Sequence, residues 1–346
     1  MREILLHHFK KYPQMEIEDF IKLLYQSFFK GEHLFTDKEA SLKMLEEEIN
    51  SLDYELPFFI YEDIGFDTIR LNLSAVKANN LPLEEINEWF IKSFTKKRPV
   101  KDFKKSLRLL LSLIEKQEIK LDYQTSKEFI TNYLKKVKPL SHSTKYKEKY
   151  NPHYRIIDKN IMPSYMKDLQ FRNYIKNFKQ GNRFNIIALD GKAASGKSTI
   201  TKNLREHNVT IIHMDDFFLP KSLQTKKQLN TLGGNIDIDA LKDVLSRLSQ
   251  NQEIMFQAFN CKTQKYFEKR EFVHSLVIIE GVFSYLEDFR RFYKRLIYLD
   301  INKQEQKKRL INRNKKLYPK FKKIWLPMEE KYFSKENIIL KADLII

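Results

Sequence analysis

Apolar residues recur at helical spacing through most of the first 140 positions. Glu16–Lys30 carries Phe20, Ile21, Leu23, Leu24, Phe28 and Phe29 in one stripe, which predicts an amphipathic helix. Asp37–Leu52 predicts a second, with Asp37 near a capping position. Leu83–Phe94, Asp102–Lys116 and Ser126–Val137 follow, and the run 107–114 is apolar enough for a buried helix. Two short strands are expected at Phe58–Ile64 and Thr68–Leu73. Between Pro139 and Pro163 the periodicity fades among serines, histidines, tyrosines and Pro152, which predicts a long connection or an ordered loop. Asp168–Phe178 is again amphipathic, and Gly181-Asn182 breaks it.

Beyond that break the texture changes. Short apolar runs at Phe184–Leu189, Val209–Met214, Leu276–Ile279, Leu296–Leu299 and Ala342–Ile346 read as strands, with a helix at Ser198–His207. Strands alternating with helices imply an α/β fold, a mostly parallel sheet covered on both faces in three layers. The division expected is a mainly helical domain over 1–160 and a nucleotide-binding domain over 161–346.

Composition narrows the class. The chain has 346 residues, 42% hydrophobic, which suffices for two cores and excludes wholesale disorder. One cysteine, Cys261, excludes a disulfide framework or a multi-cysteine zinc site and suits a reducing compartment. The apolar stretch at the start is too short for a signal peptide, and no transmembrane run occurs, so the cytoplasm is the expected location and no membrane partner is expected. Lys+Arg total 63 against 45 Asp+Glu, a net charge of +18. The lysines are spread along the chain beside glutamates, which fits a solvated basic surface; a polyanion partner is the alternative. Only 8 glycines occur, and five of them fall between 191 and 281. A chain so sparing with glycine keeps it where the backbone bends unusually or approaches a ligand.

The sharpest signal is Gly191-Lys192-Ala193-Ala194-Ser195-Gly196-Lys197-Ser198, which fits G-x-x-x-x-G-K-[ST] between an expected strand and an expected helix. Successive backbone N–H groups and a helix N-terminus there make an anion cradle. Lys197 would bridge the terminal phosphates, and the Ser198 hydroxyl would coordinate Mg2+. Ligands of such sheets sit at the carboxyl ends of the strands. The second strand ends in Asp215-Asp216 and the third in Glu280-Gly281. These supply a candidate general base and a candidate metal-shell acid.

In order along Asn185–Ile346, the motifs resemble the uridine kinase-like branch of P-loop kinases, with phosphoribulokinase and bacterial pantothenate kinase. Gly191–Thr199 is similar to that branch's A-S-G-K-[ST] loop, and Met214–Pro220 to its D-[SD]-[FY]-[YF] segment. Gly233–Asp237 resembles its G-N-[FY]-D segment, and Val277–Phe283 its V-I-[VL]-E-G-[IV] strand. Trp325–Phe333 and 342–345 resemble its closing segments. The resemblance implies ATP and Mg2+ as cofactors and a small-molecule hydroxyl as acceptor. It implies nucleotide contacts from Gly191, Ala194, Ser195, Gly196, Lys197, Ser198 and Thr199. It implies Asp215 as acceptor of the hydroxyl proton, Glu280 with Ser198 at the metal, and Asp237, Phe218 and Phe259 facing the acceptor. Arg309 and Arg313, spaced i, i+4 in the basic helix Lys303–Lys315, resemble lid arginines. The chain departs from nucleoside kinases at Phe259-Asn260-Cys261-Lys262-Thr263-Gln264, where their base pocket has an acid and a histidine. Cys261 is expected to be a small pocket or core residue.

Residues 1–160 carry no comparable motif. The stretches Gly31–Asp37 and His142–Arg155 gather histidines among charged and aromatic residues, a pattern able to bind an anion, a nucleic-acid strand or the acceptor. Small-molecule phosphotransfer is the leading expectation. A nucleic-acid-binding NTPase and a non-catalytic nucleotide sensor with a helical interaction module are the alternatives.

Overall fold

A computed structural model describes residues 1–31, 35, 37–53, 57, 59–95, 100–179, 184–202, 204, 208–225, 228 and 231–346. The chain divides into two compact units, Met1–Tyr174 and Ile175–Ile346.

The first unit opens with α1 (Arg2–Lys11), α2 (Ile17–Phe29) and α3 (Lys38–Ser51). Glu16 and Asp19 form a reciprocal capping box that starts α2. The Asp37 side chain accepts from the Ala40 N–H and starts α3, as its spacing predicts. The strands β1 (Tyr61–Gly65) and β2 (Thr68–Asn72) precede α4 (Leu73–Ala78), α5 (Leu83–Lys92), α6 (Val100–Glu115) and α7 (Tyr123–Lys135). The expected connection between Pro139 and Pro163 instead contains α8 (Thr144–Tyr150) and β3 (Tyr154–Asp158). β3 completes a three-stranded antiparallel sheet in the order β1-β2-β3. Its signal is short because only five residues, Tyr, Arg, Ile, Ile and Asp, follow the stretch Asn151-Pro152-His153. Helix α9 (Tyr165–Lys179) follows, and the division of the chain falls within it, after Tyr174.

That small sheet separates two apolar clusters. Ile69, Leu71 and Ile157 pack with Leu45, Val76 and Trp89. Ile64 and Ile156 pack on the other side with Leu24, Phe28, Phe103 and Ile130. The period-2 alternation of a strand sends Ile156 and Ile157 to opposite clusters. Arg70 pairs in register with Ile156, between Ile69 and Leu71.

The second unit contains β4 (Asn185–Asp190), α10 (Lys197–Thr201), β5 (Val209–His213), α11 (Ile238–Arg247), β6 (Glu253–Asn260), β7 (Lys265–Phe272), β8 (Leu276–Glu280), β9 (Arg295–Tyr298), α12 (Lys303–Arg313), α13 (Leu326–Lys335), α14 (Ile338–Lys341) and β10 (Leu344–Ile345). The far end of the helix expected over Ser198–His207, at 203 and 205–207, lies outside the described residues, as do Gly181-Asn182, Phe58 and most of Glu32–Thr36. Five strands form a parallel sheet in the order β10-β9-β4-β8-β5. Every residue of β8 is buried. Ala188, Ile212, Val277, Ile279 and Tyr298 share a core with Leu241, Val244 and Tyr332 of the flanking helices. Ile187, Leu189, Ile211, Ile278 and Ile297 are buried as well, so both faces are covered. β6 and β7 form an antiparallel hairpin outside this sheet.

Candidate active site

Strand β4 is central in the sheet, so the loop after it emerges where the connections diverge to either side. Gly191 has φ +153°, and a Cβ there would lie 2.4 Å from the Leu299 carbonyl oxygen. Gly196 has φ +108° and Ala194 φ +61°. These left-handed turns wrap the backbone into a cradle that feeds α10. The Ser195 hydroxyl is buried inside it with no hydrogen-bond partner among the described residues, an orphaned donor of the kind a phosphate oxygen satisfies.

Lys197 is buried, and its Nζ donates to the carbonyls of Gly191 at 2.7 Å and Lys192 at 3.0 Å. Burial pulls its pKa down, opposed by the carboxylates of Asp190, Glu280, Glu329 and Asp215. One cation thus sits among four acids.

Glu280 ends β8, and its register partner on β5 is His213. The Ser198 hydroxyl donates to Glu280 Oε1 at 2.9 Å, and His213 Nδ1 lies 2.5 Å from the same oxygen. Desolvation alone would raise the Glu280 pKa, but the His213 contact, Lys197 and the Ser198 hydroxyl together hold it below the usual range. An ionised carboxylate beside a hydroxyl is the hard-oxygen pair that suits Mg2+ shared with phosphates. Sequence reasoning paired Ser198 with Glu280 and missed His213, whose only signal is its place at the strand end before Met214-Asp215.

Asp215 lies in a 3-10 turn, Met214–Phe217. Its side chain reaches solvent, yet the protein around it desolvates the carboxyl and pushes its pKa up. Glu280 adds to the rise, while Lys197, His213 and Arg313 oppose it. Asp216 is committed elsewhere, accepting from Lys269 Nζ at 2.7 Å.

The two arginines of α12 part company. Arg309 Nη1 donates to the carbonyls of Ala194 at 3.3 Å and Ser195 at 3.2 Å, and its Nε to Glu305 at 2.8 Å. It braces the loop from its carbonyl side. Arg313 is exposed and acts on Asp215 through its charge. Thr199 is exposed on the first turn of α10.

Sequence reasoning also missed two acids behind the loop. Asp190 accepts from the Gly191 N–H at 2.7 Å, the Tyr285 N–H at 3.1 Å and the Tyr332 hydroxyl at 2.6 Å. Burial raises its pKa against these bonds. Glu329 of α13 is buried and accepts from the Ala193 N–H at 3.0 Å. Burial pushes its carboxyl up to about 7. Glu329 stands in the closing segment 325–333, but no spacing rule marks it.

On the acceptor side, Asp237 caps α11 by accepting from the Ala240 N–H at 3.0 Å. It also lines an open cavity of about 530 Å³ with Phe217, Val244, Arg247, Phe256 and Tyr266. Phe218 is half-buried and bridges to Ile236, and Phe259 is buried with its ring 5.3 Å from Tyr266. Neither Phe218 nor Phe259 lines that cavity. Cys261, expected in a pocket or core, is exposed at the tip of the β6–β7 hairpin. The Asn260 side chain turns the tip by accepting from the N–H groups of Lys262 and Thr263, so the chain there follows turn chemistry rather than core packing.

Residues 187–325 match the family model described as an AAA domain. Human nicotinamide riboside kinase 1 is 37% identical over 79 residues, covering 22% of this chain. The match spans only about a third, 34%, of that relative's length. Among solved structures, a possible uridine kinase from Bacillus stearothermophilus is similar at 21% identity and a TM-score of 0.42, over 53% of this chain and 100% of its own. A candidate fructose transport system kinase from Silicibacter sp. TM1040 is similar at 18% identity and a TM-score of 0.41, over 49% of this chain and 91% of its own. No helix among the described residues is long and apolar enough to cross a membrane. Within the C-terminal half, the stretch that matches this family model carries the phosphate-loop sequence of residues 191–198.

Proposed function

We propose that the protein transfers the terminal phosphoryl group of ATP to a hydroxyl of a small molecule. One observation carries this reading: Lys197, Ser198, Glu280 and Asp215 converge from β4, β5 and β8 at one end of the sheet. The amides of 194–198 and the orphaned Ser195 hydroxyl would hold the phosphate chain. Lys197 would exchange its loop carbonyls for phosphate oxygens. Ser198 and Glu280 would hold Mg2+, which supplies charge neutralisation between the terminal phosphates. Asp215 takes the proton of the attacking hydroxyl as the oxygen–phosphorus bond forms, and ADP leaves with the electrons of the broken bond. Its raised pKa makes it a stronger base than an ordinary aspartate. Arg313 offers charge to the migrating group, and Arg309 keeps the loop in shape.

A nucleoside or ribose-like acceptor is the preferred class. Asp237 beside the Phe217, Phe256 and Tyr266 rings supports it, since an acid suits vicinal hydroxyls and rings suit a flat group. The nicotinamide riboside kinase match points the same way. The test is a metabolite pool incubated with γ-labelled ATP and either the intact chain or Asp215→Asn. The expected result is label on one compound, with the rate reduced about 10²–10⁴-fold in the variant at unchanged nucleotide affinity. Absence of any labelled small product across the pool refutes the proposal.

A further inference from the structure

Strand β2 buries an arginine on the face where Ile64 and Ile156 pack. Arg70 is 3% exposed. Its Nε and Nη2 both donate to the side-chain oxygen of Gln26 of α2, at 3.0 and 2.8 Å. Its guanidinium lies 4.7 Å from the centre of the Tyr154 ring. Nη1 is buried with no hydrogen-bond partner among the described residues. The side edge of the guanidinium is therefore taken, and the end edge is unmatched. An unmade charged donor in the interior is costly, so proteins rarely keep one without a use.

The neighbouring acids are already committed. Asp19 receives four hydrogen bonds, from His142 Nδ1, the Ser143 N–H, the Ser143 hydroxyl and the Glu16 N–H. Glu62 is paired with Lys11 and the Tyr12 hydroxyl. A second cation shares the α2 face that meets Arg70, because Lys22 stands one helical turn before its partner Gln26. Lys22 is half-buried and donates to the Leu140 carbonyl at 2.7 Å. Burial, then Arg70 and Lys147, push its ammonium pKa down to about 8, against Asp19. The wall beside them is fixed. His142 Nε2 lies 2.6 Å from the Tyr154 hydroxyl, and the His142 ring stacks on Tyr146 at 4.2 Å. Burial keeps His142 neutral at ordinary pH, so its Nδ1 donates to Asp19 and its Nε2 accepts from Tyr154.

We propose that this constellation is a binding site for the phosphate group of a small molecule, gripped by the end edge of Arg70 and the ammonium of Lys22. A carboxylate would fill the Arg70 edge with its two oxygens and offer Lys22 little. A tetrahedral phosphate presents oxygens toward both cations at once. Lys22, the more exposed of the two, is the group that moves to admit it. The proposal is independent of the P-loop and uses the stretch His142–Arg155, which the phosphotransfer reading does not employ.

The test is calorimetric titration of the full chain with inorganic phosphate at low ionic strength, beside a titration with a non-hydrolysable ATP analogue and Mg2+. Lys22→Met and Arg70→Lys should each weaken one phosphate site about tenfold or more while the analogue's affinity stays within about twofold. Acetate should bind that site about tenfold more weakly than phosphate, a difference of one decade in affinity. The proposal is overturned if phosphate binding is absent, if Lys22→Met leaves it unchanged, or if acetate binds equally well. Lys22 is half-exposed, so its variant decides the matter even where Arg70→Lys melts early. Failure of the analogue to bind bears on the phosphate loop alone.

Discussion

Each unit of this protein buries a cation at its heart, and the two are kept in opposite ways. Lys197 is surrounded by Asp190, Glu280, Glu329 and Asp215 and hydrogen-bonds two loop carbonyls. Arg70 has an amide oxygen for a partner, an unmatched Nη1 and Lys22 nearby. The first cation sits among four acids, and the second hydrogen-bonds no carboxylate among the described residues. A site rich in acids is prepared to exchange partners for phosphates and metal without losing its charge balance. A site short of them is prepared only for an anion.

The largest expected effect comes from removing each cation. Lys197→Met would leave four carboxylates facing one another, costing about 3–5 kcal/mol of folding stability by the rule for a broken buried pair. Phosphoryl transfer should fall by about three orders of magnitude or more, the scale of losing a principal charge stabiliser. Arg70→Met should cost less in anion-free buffer. It leaves the Gln26 oxygen short of two hydrogen bonds, but Glu62 keeps Lys11 and the Tyr12 hydroxyl, so the loss should stay at about 1–2 kcal/mol. Denaturant unfolding of both variants measures the contrast. Equal destabilisation by the two substitutions would dissolve the distinction drawn between the sites.

Much of the P-loop half is legible in the sequence because its signals are local. Phe184–Leu189, the glycines at 191 and 196, and the acids at the ends of β5 and β8 each follow a rule of a few residues. Asp37 is legible for the same reason. Arg70 is not. In Thr68-Ile69-Arg70-Leu71-Asn72 the alternation places Arg70 opposite two apolar residues, where a strand normally meets water. The packing of α2 and of the Tyr154 ring over that face buries it. His213 and Glu280 likewise meet through strand register, which no single stretch encodes. The β6–β7 hairpin escapes notice because Lys265-Tyr-Phe-Glu-Lys-Arg-Glu-Phe is largely exposed and lacks a buried stripe. Glu329 escapes because it reaches the loop from more than a hundred residues away in sequence.

Glu329 sharpens the comparison with an effect of middle size. Burial raises its pKa from 4.5 to about 7. The folded chain therefore holds that proton more tightly than the unfolded chain does. Below pH 4.5 both states are protonated and the shift has no consequence. As pH rises toward 7 the unfolded state gives up its proton first, so folding weakens, by about 3 kcal/mol at most once both have ionised. Glu329→Gln keeps an oxygen for the Ala193 N–H and lacks the charge. It should melt above the parent at pH 8, with the gain shrinking toward zero below pH 4.5. A gain independent of pH would mean that the carboxylate is not the source.

The smallest effect separates structure from function with two matched substitutions. Asp37 caps α3 and Asn302 caps α12, each accepting one backbone N–H, from Ala40 at 2.9 Å and from Glu305 at 2.8 Å. Replacing either by alanine should cost about 1 kcal/mol of stability. The consequences should then diverge. α12 carries Gln306, which donates to the Ala193 carbonyl, and Arg309, which donates to those of Ala194 and Ser195. Fraying its first turn loosens the outer face of the phosphate loop, so Asn302→Ala should raise the KM for nucleotide about two- to fivefold, the equivalent of a fraction of a kilocalorie in binding. α3 belongs to the other unit, so Asp37→Ala should leave the KM unchanged at the same loss of stability. Equal KM values in the two variants would show that the loop keeps its shape without α12, and Arg309 would then lose the bracing role that its hydrogen bonds give it.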